Sequence, residues 1–116
     1  MIHKYSEMET ALSTGVRGGE GNVHFRHLFR AAEIKDRAAM LSVVTLEPGC
    51  SVGTHPHETN GELYYILEGK AMVEEDGVET ELSAGDAEFC ADGHSHAIRN
   101  HTDTVMRFMA VIVPDR

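Results

Sequence analysis

The sequence predicts an all-β fold, an antiparallel sandwich or barrel, from three observations. Short runs of alternating or apolar residues recur along the chain. Turn formers of the Gly, Pro and Asp type separate them at regular intervals. The one stretch with helix-forming composition, from Ala31 to Met40, is too short to carry an architecture. At 116 residues the chain is long enough for one domain with a single core.

Residues 1–22 contain few core formers and end in a glycine-rich stretch, so they read as an N-terminal arm with one short strand. Residues 23–116 read as the barrel domain. At its start Val23, Phe25, His27 and Phe29 alternate with His24, Arg26, Leu28 and Arg30, the pattern of a half-buried strand. The apolar run from Met40 to Leu46 is a second strand, closed by Pro48 and Gly49. Beyond it, His55 and His57 stand two apart in an extended segment and project to one side, while Pro56 faces the other. The turn formers of 58–61 break that strand. Glu62, Tyr64 and Ile66 then share one face of the next, which is expected to fold back beside the histidine strand and bring Glu62 to the two imidazoles.

The Asp76-Gly77 pair predicts a tight hairpin over 70–82. That hairpin sets Glu74 opposite Glu79, a like-charge pair tolerable only in water. Turns at 83–86 and 92–93 flank a short strand, after which His96, Ile98 and Asn100 share a face. The run from Val105 to Val113 is a nearly continuous apolar strand ended by Pro114.

Two His at alternate positions, a downstream Glu and a later His suit Mn(II), Fe(II), Co(II), Ni(II), Cu(II) or Zn(II), and the absence of cysteine within the set argues against a closed structural zinc site. The spacing resembles the cupin family, whose first motif reads G-x5-H-x-H-x4-E-x6-G and whose second reads G-x5-P-x-G-x2-H-x3-N. Gly49, His55, His57, Glu62 and Gly69 match the first, and Gly85, Gly93, His96 and Asn100 match the second. Ala91 stands where the family has proline. The resemblance implies a double-stranded β-helix, the cupin jelly-roll barrel, with one divalent metal held by His55, His57, Glu62 and His96. It also implies dioxygenase, decarboxylase, isomerase or lyase activity, or plain binding of a sugar or another small molecule.

Three neutral imidazoles and one carboxylate leave a divalent ion with net charge +1 and, in octahedral coordination, two open positions. Such a centre suits a small oxygenated acid or diketone bound through adjacent oxygens. Neutral imidazole is the liganding form, so affinity is expected to fall as pH drops below about 6.5. Two functions follow: a metalloenzyme acting on a small, anionic substrate, or a non-catalytic metal-dependent binding protein. Tyr64, on the face of Glu62, is the candidate proton donor for the first, although a tyrosine there also reads as pocket wall. His94, His27 and Arg26 are the other polar candidates, and Arg26 would suit an anion if its strand face turned inward. His3, His24, His27 and His101 read more simply as satisfied polar groups, and Met40, Met72, Met106 and Met109 as core filler.

Nineteen acids against ten bases give a formal charge of −9, which repels nucleic acid and anionic membrane surfaces, so neither is an expected partner. Cys50 and Cys90 lack metal-finger spacing and read as reduced, buried thiols. The first residues form no apolar signal core, and no run approaches the roughly 20 apolar residues of a membrane span, so a cytoplasmic location is expected. A homodimer is expected as well. A small open barrel leaves strand edges to cover, the arm is long enough to cross to a neighbour, and small members of the family it resembles commonly dimerise.

Overall fold

The most apolar run of the chain becomes the centre of the structure. In a computed structural model describing residues 1–115, Met106–Pro114 forms one long strand whose residues Met106, Phe108 and Ala110 are buried. In chain order the strands are β1 (Glu9–Thr14), β2 (Asn22–His27), β3 (Met40–Leu46), β4 (Ser51–Pro56), β5 (Asn60–Glu68), β6 (Lys70–Glu75), β7 (Val78–Ser83), β8 (Ala87–Cys90), β9 (Ser95–Arg99) and β10 (Met106–Pro114). Three short 3-10 turns, Tyr5–Glu7, Val16–Gly18 and Ala31–Ile34, complete the elements, the last where helical composition was recognised. Arg116, the last residue of the expected barrel, lies outside the described residues. No helix among them is long and apolar enough to cross a membrane.

Two antiparallel sheets face one another. The larger runs in the order β1-β2-β3-β10-β5-β8 and the smaller in the order β4-β9-β6-β7. This is the expected double-stranded β-helix. The segment before residue 23 contributes β1, which pairs with β2 along six residues from Glu9↔His27 to Thr14↔Asn22. Alternation along the strands supplies the core: Val44 and Leu46 from β3, Ile66 from β5, Val73 from β6, Ile98 from β9 and Phe108 from β10 point inward. Burying each such side chain contributes about 1.5–3 kcal/mol.

The expectation that β5 lies beside β4 is not met. β4 pairs with β9, while β5 pairs with β10 and β8 in the facing sheet. The physical reason is that β10, apolar from Phe108 to Val113, needs a partner on both sides, which β3 and β5 provide. Residues 57–59 therefore carry the chain from one sheet to the other, and Thr59 is held there at φ 63 by the carboxylate of Asp92, which accepts its backbone N–H at 2.7 Å.

The 76–77 hairpin forms as expected, with both central residues at positive φ (Asp76 50, Gly77 86) and Glu74 directly opposite Glu79. Arg99 from β9 relieves that like-charge pair by reaching Glu79 at 3.1 Å. Met106 is core and Met40 packs against it, but Met72 and Met109 are only half-buried, each alternating with core neighbours on its strand.

Candidate metal centre

His55 sits in β4 and His96 opposite it in β9, in direct register. His57 follows β4, tied by backbone hydrogen bonds to the 93–94 turn, where its N–H donates to the His94 carbonyl and its carbonyl accepts from Gly93. Glu62 reaches the three rings across the interior from β5. All four residues are at most 5% exposed. Their donor atoms converge: Glu62 Oε1 lies 3.3, 3.1 and 2.9 Å from the Nε2 atoms of His55, His57 and His96. His96 Nε2 stands 3.0 Å from that of His57 and 3.1 Å from that of His55.

Each ring is oriented from behind. His55 Nδ1–H donates to the Gly53 carbonyl at 2.8 Å, His57 Nδ1–H to Asn60 Oδ1 at 2.7 Å, and His96 Nδ1–H to Glu88 at 2.9 Å. With an acceptor at every Nδ1, a neutral ring presents its Nε2 lone pair to the centre. Four electron-rich atoms at such separations repel one another unless a cation lies among them. Metal–ligand bonds of about 2.1 Å place neighbouring ligands about 3.0 Å apart in an octahedron and about 3.4 Å apart in a tetrahedron. The observed 2.9–3.3 Å spacing fits the octahedral edge. This group could hold a metal ion.

Without a metal the charge is met by a proton. Burial works against a charged His96, but its hydrogen bonds to Glu62 and Glu88 outweigh burial and raise its pKa to about 9. Burial likewise works against ionisation of Glu62, and the imidazoles of His55 and His96 against its oxygen outweigh burial and hold the carboxyl at about 2.

Tyr64 lies parallel to the His96 ring, 4.3 Å between centroids, and edge-on to Phe108. Burial, followed by the charges of Glu62 and Glu88, pushes its phenol well above 10, so it stays protonated. Together with His55, His57 and Glu62 it lines a cavity of about 90 Å3 whose remaining wall is apolar apart from Arg17. The other candidates are elsewhere. His94 is exposed and bonded to Asp76, His27 donates to or accepts from Ser42 Oγ, and Arg26 turns away from the interior to the Tyr5 ring and carbonyl. Glu88 and Arg17 were missed in the sequence reading. Glu88 is turned inward by the pairing of β8 with β5, which sets Cys90 beside Glu62 and Glu88 beside Tyr64, and no local signal announces that pairing. Arg17 lies on an irregular loop with no periodicity to reveal it.

Two facing antiparallel sheets enclosing three histidines and a glutamate define a small barrel with a metal-type centre. The model of the cupin domain (Cupin_2) matches residues 42–112, and the chain belongs to the cupin family. An oxalate-binding protein of Thermotoga maritima is 36% identical over 113 residues, 97% of this chain and 93% of that protein. A crystal structure described as a predicted oxalate decarboxylase, also from Thermotoga maritima, matches with a TM-score of 0.93 at 36% identity, covering 98% of this chain and 99% of that one. The dimethylsulfoniopropionate lyase DddW of Ruegeria pomeroyi is 32% identical over 94 residues, and this chain spans 61% of its length.

Proposed function

We propose that this cupin holds one divalent transition metal through His55, His57, Glu62 and His96 and uses it to bind, and act on, a small oxygenated anion of the oxalate class. One observation carries the reading: four donor atoms converge, and three of the residues that supply them, His55, His57 and Glu62, line a cavity of only about 90 Å3, which admits a small ligand and little water. Similarity to an oxalate-binding protein along nearly the whole chain supports the ligand class. When bound, the metal would act as a Lewis acid on the ligand's oxygens. Tyr64 would supply a proton or a hydrogen bond to the anion, since its phenol keeps its proton and lines the same cavity.

The non-catalytic reading has its own support. Tyr64 is the one proton donor of ordinary acid type that lines the cavity besides the proposed ligands, and the rest of the wall, Arg17 aside, is apolar. The two readings separate on turnover. Untagged protein purified without a nickel column is analysed for metal, reloaded with Mn(II), Fe(II) or Ni(II), and titrated with oxalate and related 2-oxo acids, with consumption followed in parallel. One metal per chain, lost from His57→Ala and Glu62→Gln, and saturable oxalate binding are expected. If consumption is seen, Tyr64→Phe should leave metal content and folding intact and reduce the rate roughly a hundredfold. Binding without consumption replaces the enzyme by the binding protein, and full metal retention by both ligand variants would refute the centre.

A further inference from the structure

We infer that Arg17 is a specificity-determining residue of this cavity, reading a negative charge on the part of the ligand remote from the metal; the inference rests on the metal–anion reading above. Arg17 is the one arginine or lysine lining the cavity that Glu62, His55 and His57 also line. Like Arg26 and Arg37, it has no acidic partner among the described residues, but of the three it alone lines this cavity. Arg17 is exposed at the cavity wall, so its guanidinium is free to take a partner that enters from solvent. A bound anion is such a partner.

The backbone holds that residue in place. Arg17 has φ 53 and ψ 30, a left-handed conformation that side-chain-bearing residues avoid, inside the Val16–Gly18 turn linking β1 and β2. The turn is pressed onto β4, the strand that carries His55. A Cβ on Gly53 would collide with the Arg17 carbonyl oxygen, and a Cβ on Gly19 with the Ser51 carbonyl oxygen. Ser51 N–H donates to the Glu20 carbonyl at 2.9 Å, and Ser51 Oγ accepts the Glu20 N–H at 2.8 Å. Val16 packs against the core beside it. Gly53 thus meets the Arg17 backbone and, through its carbonyl, orients His55. The position of Arg17 relative to the metal-binding rings is therefore built into one short stretch of β4.

The chemistry that matches is a small dicarboxylate or 2-oxo acid with one set of oxygens on the metal and a carboxylate left for the planar guanidinium, which offers paired donors to carboxylate oxygens. The cavity restricts the chain joining the two ends to a very short one, of which oxalate is the smallest case. A ligand that chelates the metal equally well but ends in a methyl group would gain nothing from Arg17.

The test uses the full chain loaded with Mn(II), with metal content checked by elemental analysis and binding measured by calorimetry for oxalate and for acetohydroxamate, a two-oxygen chelator with a methyl at its far end. Arg17→Gly suits the left-handed backbone and guards against misfolding, and Arg17→Lys keeps the charge without the fork. Expected is a ten- to hundredfold loss of oxalate affinity in Arg17→Gly, in the range of charge-assisted hydrogen bonds. Partial recovery in Arg17→Lys, with unchanged metal content and acetohydroxamate affinity in both, completes the expected result. Oxalate affinity within twofold of wild type in Arg17→Gly, or an equal loss for both probes, overturns the assignment and leaves the metal–anion reading standing. Wild-type protein that holds metal and binds neither probe overturns that reading, and this inference with it.

Discussion

His96 stands in direct contact with two carboxylates, Glu62 at Nε2 and Glu88 at Nδ1, and this governs how the centre responds to pH. Its folded pKa of about 9 lies above the unfolded value near 6.5, so its stabilisation of the metal-free protein is fully present below about 6.5 and is lost as pH rises through about 9. Metal must displace that proton. Metal affinity is therefore expected to rise about tenfold per pH unit from about 6.5 toward 9, above the window near 6.5 that free imidazole suggests. Metal titrations at several pH values, with calorimetry in buffers of different ionisation enthalpy, should show about one proton released at pH 7.5; affinity independent of pH between 7 and 8.5 would contradict the proton on His96. Glu62, depressed to about 2, contributes stability above about 4.5 that disappears as pH falls through about 2. The thiols offer a second check at this scale. Burial, followed by the charge of Glu88, raises Cys90 to about 12, and the residue is fully buried, whereas Cys50 is partly exposed. In native protein at pH 8 a thiol reagent should modify Cys50 and leave Cys90 until denaturant is added.

Between elements, Asn100 binds three segments at the end of β9. Its Nδ2 donates to the Leu46 carbonyl at 2.9 Å and the Thr104 carbonyl at 2.7 Å, and its Oδ1 accepts the Thr102 N–H at 3.0 Å. The side chain is 1% exposed, so its removal leaves carbonyls without partners in a dry place. Asn100→Ala is expected to cost about 2–4 kcal/mol and lower Tm by roughly 10 °C or more, measured by calorimetric melting. A change below about 0.5 kcal/mol would mean that water replaces the lost bonds. The turn before His96, where Ala91 replaces the family's proline, is held instead by backbone bonds between His57 and residues 93–94 and by the Asp92–Thr59 contact.

For the molecule as a whole, the outward face of the larger sheet is the conspicuous surface. Cross-strand register lines up Leu41, Val111, Leu63 and Phe89 in one row and Val43, Met109 and Tyr65 in the next. Phe89 is 51% and Tyr65 41% exposed. A contiguous apolar row across four strands is larger than scattered surface residues require, and a flat sheet face is complementary to a two-fold copy of itself. The expected homodimer is proposed to use this face. Light scattering at micromolar concentration should give twice the chain mass, and the double substitution Tyr65→Lys, Phe89→Lys should give a folded monomer; a monomeric wild type would exclude the dimer, and a still-dimeric variant would exclude this face.

The four converging donors, the alternation of nearly every strand, the 76–77 hairpin and the apolar β10 were legible in the sequence because each depends on local rules: period two in strands, positive φ at turn residues, fixed spacing within two motifs. What local rules do not contain is the partner of each strand. The sequence placed Glu62 beside the histidines in a neighbouring strand, and only the competition for the apolar β10 moved β5 to the opposite sheet, so that Glu62 meets the rings across the barrel. The same holds for charge. Nothing local sets Glu88 behind His96 or Arg17 beside the cavity, because those juxtapositions arise from pairing and packing between segments 8 and about 40 residues apart, where sequence spacing carries no geometric information.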